Sequence, residues 1–334
     1  MGFDWPASPL FFGVISLVLI GVLWVHARNL LKSAPAKIAT RLVLLRIFSL
    51  GLFWGSSFLF NEILLKHISP ISIAFVRVAV SAMILIPFII AKYGIKILTQ
   101  SDIFNLIIMG LINNILPFSL IAVGQQFTTG GLASILNAST SFFTIIVASI
   151  FLTNEKLTTT RVLGVLIGVL GVSIAVGFDE IFSNINQGFG KYVILLGSLS
   201  YAFAVVWGKL KLSHLKPMIA ATGMLTASSV IMLPIIGYGY MNELIVLEID
   251  IIAIIILFAI IANVLAYFLY FKILESAGAG NLQICTIIIP PAAIILNALI
   301  LGELITKTEI MGLMIIVIGL VILDGRALRY LKSR

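Results

Sequence analysis

Apolar residues run along this chain in blocks of roughly 20, divided by short polar or charged stretches, and within each block they are continuous rather than alternating. Runs of that length suit helices crossing a hydrocarbon core of about 30 Å, whereas barrel strands would alternate apolar and polar positions. Lipid offers no partner to backbone N–H and C=O groups, so a helix, which satisfies them internally, is the expected element. The pattern predicts eleven spans: Leu10 to Val25, then 43–65, 71–91, 103–125, 131–152 and 160–178, then 190–210, 217–238, 250–273, 279–301 and 308–324. The connections are short, and none is long enough to hold a soluble domain.

Two stretches echo each other. Residues 152–172 read LTNEKLTTTRVLGVLIGVLGV and residues 300–320 read ILGELITKTEIMGLMIIVIGL. At an offset of 148, Glu155 falls on Glu303, Thr158 on Thr306, Thr160 on Thr308, Gly164 on Gly312, Gly171 on Gly319 and Gly130 on Gly278; Pro70 falls on Pro217 and Pro87 on Pro234 at 147. One unit of about 147 residues is therefore written twice. The expected organisation is an extra helix and basic linker over 1–40, a first five-helix repeat over 41–179, a second over 188–326, and a basic tail over 327–334. The first span is short and stands outside the repeat, as an added helix or a signal-like segment. Basic residues follow it with no clear small-residue cleavage site, which fits an anchor better than a secretory signal.

Composition agrees with the pattern: 61% of residues are hydrophobic, 10% are charged and the mean hydropathy is +1.20, against about 25% charged in soluble domains. Charge then orients the chain. If the linker after the first span is cytoplasmic, 17 of the 21 Lys and Arg residues face inward, three (Lys66, Lys191 and Lys307) face outward, and Arg77 lies within a span. That split follows the positive-inside rule, with the N-terminus outside and the C-terminus in the cytoplasm. The net charge of +8 reports topology and contact with the cytoplasmic leaflet of the bilayer rather than nucleic-acid binding. The expected location is the inner (plasma) membrane of a bacterium.

Five spans per unit is an odd number, so the second unit enters from the opposite side and the halves are related by an axis in the membrane plane. The expected fold is an all-α polytopic membrane protein of two inverted five-helix repeats plus one extra helix. Such a pair of similar packings can exchange roles and open a central site first to one side and then to the other, as in secondary transporters.

The run WGSSFLFNEILLKHISPISIAFVRVAVSAMILIPF (Trp54 to Phe88) resembles the opening of the EamA domain of the drug/metabolite transporter superfamily. The stretch from Pro117 through TTGGLAS to TNEKL and GVLIGVLGV resembles its close, and PPAAIILNALILGELI repeats that close in the second unit. The resemblance covers residues 43 to 324 and implies ten helices, a central cavity, and export of amino acids, related metabolites or drugs. Two departures fall in the first unit: Ser141 and Phe142 stand where the second has Pro290 and Pro291, and Asn154-Glu155 stands where Gly302-Glu303 gives the family's Gly-Glu turn.

Individual residues suggest roles. Glu155 and Glu303, each just before the threonine that opens the next helix, are expected to form tight turns and caps there. Gly164, Gly168 and Gly171 share one helical face, with Gly312 and Gly319 as counterparts, and are expected to admit another backbone, within the chain or in a homodimer. Arg77 lies six residues into its span, about 9 Å deep, and needs either water or a partner. Glu62 is the nearest carboxylate by topology, and a grip on a substrate carboxylate is the other reading. Trp54, Ser57, Asn114, Gln125, Asn137, Tyr201, Trp207, Asn263, Tyr267 and Asn281 are polar or aromatic residues near mid-membrane, each interhelical glue or substrate contact. Trp54 and Tyr201 coincide at the 147 offset, which suggests a paired aromatic wall, and of these residues Trp54, Ser57, Arg77, Asn114, Asn137, Tyr201, Trp207, Asn263 and Tyr267 are the expected substrate-binding set.

Several chemistries are excluded on this reading. Cys285 is the sole cysteine, so there is neither a disulfide framework nor a cysteine metal cluster. His26, His67 and His214 lie near span ends in separate segments, and no GxxxxGK[ST] loop is present. No catalytic residue, metal or cofactor is expected. An exporter of amino acids or related small molecules is the leading reading; a drug, nucleoside or lipid-metabolite exporter of the same fold is the alternative, ahead of an embedded enzyme, which needs converging acids or a nucleophile with a base, or a channel.

Overall fold

A computed structural model describes residues 36–94, 98–153, 155, 157–177, 185–282 and 284–324. The first apolar span, Asn154 of the first turn and the basic tail lie outside the described residues, as does the side chain of Asn281. The main helices are α1 (Ala36–Leu64), α2 (Pro70–Tyr93), α3 (Gln100–Gln125), α4 (Gly130–Phe151), α5 (Thr159–Val176), α6 (Ile185–Lys211), α7 (Pro217–Gly239), α8 (Ile249–Gly278), α9 (Cys285–Leu301) and α10 (Lys307–Asp324). No strand occurs among the described residues. Those in α1 to α8 are long and apolar enough to cross a membrane. α9 is an apolar helix of 17 residues, and α10 carries Lys307, Glu309 and Asp324 in its 18.

Helix starts follow from residues that satisfy free N–H groups. Ser69 accepts from the Ser72 amide ahead of Pro70, whose missing N–H costs nothing at a first turn. Thr99 and Asp102 form a reciprocal capping box for α3, and Thr306 and Glu309 form another for α10. Thr129 caps α4, and Thr158 caps α5. The turn after α9 closes on Gly302 at φ 69°, a left-handed conformation that glycine adopts without steric cost.

The fourth helices are not straight rods. α4 breaks between Asn137 and Thr140, although the first unit has no proline there. In the second unit the backbone turns at Gly278 (φ 76°) and a new helix starts at Cys285, running unbroken through Pro290 and Pro291. Phe142, which with Ser141 stands where the second unit has Pro290 and Pro291, is buried against Gly168 of α5, so its ring occupies the notch that the glycine leaves.

Packing partners come in matched pairs. α9 lies against α1, and α6 against α4; α6 also lies against α3, and α1 against α8; α2 packs on α7, and α5 on α10. α5 and α10 run antiparallel with their glycines opposed: Gly164 faces the Gly319 carbonyl, and Gly171 faces Gly312 and Ile316. The glycine face expected from sequence is therefore an intramolecular seam. A Cβ on Gly171 would stand 2.7 Å from the Ile316 nitrogen and 2.9 Å from the Gly312 oxygen, and backbone cannot yield as a side chain can. Gly171→Ala is expected to cost about 1–3 kcal/mol, read as a lower melting temperature in detergent. Gly237→Ala, with nothing within 4 Å of the added carbon, is the control and should melt like the parent.

Candidate functional site

α3 and α8 both leave α-helical geometry at mid-length, through π turns at Leu111–Ile115 and Ala259–Leu265. A π turn inserts a residue, widens the helix and redirects the side chains around it. In α3 it precedes Pro117, whose ring would collide with the carbonyl four residues back in a regular helix. α8 has Ala266 there, so proline is not the common cause. The shared feature is an asparagine: Asn114 and Asn263 coincide at an offset of 149.

Each asparagine holds the second helix of the other half through a serine. Asn114 Nδ2 donates to Ser228 Oγ at 3.0 Å, and Ser228 Oγ lies 2.7 Å from the Met224 carbonyl and 3.0 Å from that of Gly110. Asn263 Nδ2 donates to Ser81 Oγ at 2.8 Å, and Ser81 Oγ lies 2.7 Å from the Arg77 carbonyl and 3.4 Å from that of Ala259. Ser81 falls on Ser228, and Arg77 on Met224, at 147. The two clasps are built alike except that one contains a cation.

Arg77 is 8% exposed. Its Nε donates to Asn263 Oδ1 at 3.0 Å, and Asn263 Nδ2 returns a bond to the Arg77 carbonyl at 3.2 Å. The guanidinium carbon lies 3.8 Å from the centroid of Phe118 and 4.8 Å from that of Phe258, and cation–π attraction offsets part of its lost hydration. Tyr201 and Tyr267 pack against the same buried cluster as Phe118. Tyr201 is edge-on to Phe118, and Tyr267 stacks on Phe271 with Asn113 near its hydroxyl. Among the described residues Arg77 has no carboxylate partner. The expected pairing with Glu62 is replaced by Asn263, because Glu62 is engaged by Gln125 Nε2 at 3.3 Å.

Arg77, Asn263, Tyr201 and Tyr267 thus meet in one place, with Phe118, Phe258, Asn113 and Ser81 as participants missed in the sequence reading. Other candidates sit apart. Trp54 lies 6.0 Å from Tyr270 rather than against Tyr201, so the two residues of the expected aromatic wall take different ring partners. Ser57 is buried, and its hydroxyl has no hydrogen-bond partner among the described residues. Asn114 belongs to the other clasp, and Asn137 accepts from Ser198 Oγ at 3.3 Å. Trp207 donates to the Asn105 carbonyl at 3.3 Å, tying α6 to α3. Ser81 and Ser228 had a signal in their matched offset, but it acquires meaning only once their partners are known.

The two turn glutamates do not cap the helices that follow, as the sequence suggested, but make other contacts. Glu155 accepts from Lys209 on α6 at 2.9 Å and from Arg161 at 2.9 Å, and Lys209 foremost holds its carboxyl below the usual range. Glu303 accepts from the Gly131 amide of α4 at 3.3 Å, and burial pushes its carboxyl up. Thr158 and Thr306 supply the caps of α5 and α10 instead.

The run of long apolar helices around a buried, hydrogen-bonded cation defines a multi-pass integral membrane protein. The sequence profile of the EamA-like transporter family matches residues 41–177 and 188–323, and the chain belongs to that family, within the drug/metabolite transporter superfamily. It is a transporter of the EamA type. Relatives are described as transporters: an uncharacterized transporter of Archaeoglobus fulgidus is 22% identical over 81% of this chain and 94% of its own length. The uncharacterized inner membrane transporter YedA of Escherichia coli is 24% identical over 83% and 88%, and YetK of Bacillus subtilis, an uncharacterized transporter, is 23% identical over 80% and 82%. A solved crystal structure shares the fold, with a TM-score of 0.63 at 13% identity over 86% of this chain and 98% of that one.

Proposed function

We propose that this transporter exports a small metabolite bearing a carboxylate, an amino acid or a related compound, by alternating access between two inverted five-helix halves. The observation that carries the substrate class is Arg77. A guanidinium that is buried, held by one amide through Nε and flanked by aromatic faces keeps its Nη groups for another acceptor, and a fork of parallel donors suits a carboxylate. Tyr201 and Tyr267 border the same place and suit the apolar part of such a substrate with hydroxyls at hand.

The matched helix pairings, the opposed glycines of α5 and α10 and the duplicated Asn–Ser clasps support the inverted repeat. The 17 to 3 split of basic residues supports an N-terminus outside and a C-terminus in the cytoplasm, which puts Glu155 at the inner end and Glu303 at the outer end. The test is counterflow into proteoliposomes preloaded with a mixed amino-acid pool. Saturable, trans-stimulated exchange of a carboxylate-bearing compound is expected. Exchange confined to uncharged or cationic drugs would overturn the substrate class and leave the carrier.

A further inference from the structure

At the end of the fold that the basic residues assign to the cytoplasm, two lysines from different halves of the chain converge on one aromatic ring. Lys216 Nζ lies 4.6 Å from the centroid of Tyr93, and Lys92 Nζ lies 5.3 Å from it. Tyr93 ends α2, and Lys216 directly precedes α7, the helix packed on α2. The ring is anchored, since Tyr93 packs on the buried cluster that includes Ile89 and Met218. Both lysines are exposed, and among the described residues neither is ion-paired with a carboxylate.

Helix dipoles account for one of these charges and not for the other. Lys92 sits in the last turn of α2, where a cation complements the partial negative charge of the helix end. Lys216 occupies the N-cap of α7, where the partial charge is positive and a hydroxyl or carboxylate would be favoured, and no side chain accepts from the amides there. An anion held by both ammoniums offsets their mutual repulsion and complements that helix end.

Lys92 also ends an apolar row. Ile84, Phe88 and Lys92 stand four residues apart and are exposed along one face of α2. Lys92 Nζ lies 5.5 Å from the centroid of Phe88, and Phe88 meets Phe268 of α8 edge-on at 5.3 Å. A lysine at the end of a lipid-facing helix lays its stem along apolar surface and carries its ammonium to the headgroup level. We propose that this patch binds an anionic phospholipid of the cytoplasmic leaflet, with the headgroup phosphate between Lys92 and Lys216 and an acyl chain along Phe88 and Ile84. The two ammoniums select the negative charge, and the apolar row beside them commits the occupant to a lipid rather than a free anion. A lipid so seated ties α2 to α7, one helix from each half.

The choice of leaflet rests on the orientation read from the basic residues, and the binding test does not depend on it. The purified full chain in detergent is titrated with phosphatidylglycerol, retained lipid is counted by native mass spectrometry, and the melting temperature is followed in parallel. Lys92→Gln and Lys216→Gln should each weaken retention about fivefold, and the double variant roughly 25-fold, at the usual strength of a lysine near an anionic lipid surface. Lys66→Gln removes an exposed lysine beyond the other end of α2; it controls for net charge and should retain the lipid like the parent. The parent should retain phosphatidylcholine less well than phosphatidylglycerol, and inorganic phosphate should leave its melting temperature unchanged. If the double variant fails to fold, the single variants suffice. Parent-like retention in every folded Lys92 and Lys216 variant, or equal retention of the two lipids by the parent, would overturn the site. Stabilisation by inorganic phosphate equal to that by phosphatidylglycerol would overturn the lipid as its occupant.

Discussion

Arg77→Met should lower saturable exchange of a carboxylate substrate at least tenfold while leaving the protein monodisperse in detergent. The magnitude follows from a charge-assisted hydrogen bond contributing about 1.5–3 kcal/mol, or roughly 10–100-fold in affinity. Methionine is the informative replacement because the protein already uses it. Met224 occupies the matched position on α7, 5% exposed, above the same kind of Asn–Ser clasp. A substitution to a residue that the fold accepts in its other half removes the charge with little disturbance of packing. Arg77→Lys is expected to recover only part of the exchange, since an ammonium keeps the charge without the planar fork. Parent-level flux in Arg77→Met would remove Arg77 from the substrate path and leave the substrate class without its main support.

The helices were legible because burial in lipid imposes one rule on every residue of a span, and that rule is local. The expected span 71–91 became Pro70–Tyr93 and 217–238 became Pro217–Gly239, each opened by a proline visible in the sequence. α1 starts at Ala36 rather than near 43, because Ala36 to Arg41 form helix without being apolar, and hydropathy sees only the part suited to lipid. The bend at Gly278 inside the expected connection and the π turns in α3 and α8 were invisible, since no composition marks them.

The site divides along the same line. Arg77 announced itself as a charge inside an apolar run, but its partner Asn263 is 186 positions away, and topological nearness pointed to Glu62 instead. The glycine face on α5 was readable from spacing, whereas the identity of its partner, α10, required the fold. Lys209 and Glu62 coincide at the repeat offset in plain sight. Their difference carries meaning only after Glu155 is seen to accept from Lys209, while Glu62 accepts from Gln125.

Asn263→Ala and Asn114→Ala remove the same side chain from the two clasps, and the first should be much the more damaging. Losing Asn114 breaks its bond to Ser228 and one from Asn113 at 3.2 Å; interhelical bonds of this kind in membranes average about 0.6 kcal/mol and seldom exceed about 1.7. Losing Asn263 breaks two bonds of the same kind and also strips Arg77 Nε of its acceptor. A buried charge deprived of a partner costs about 3–5 kcal/mol where that partner is an ion, and the neutral amide sets a lower figure, about 1.5–3 kcal/mol by the strength of hydrogen bonds to charged groups. Thermal melting of the purified proteins in detergent should rank parent, Asn114→Ala and Asn263→Ala in descending order. The double variant Arg77→Met/Asn263→Ala should then melt above Asn263→Ala alone, because the charge that needed the amide is gone. Equal losses from the two single variants would mean that Asn263 serves Arg77 no more than Asn114 serves Met224, and that the cation is accommodated by its aromatic faces.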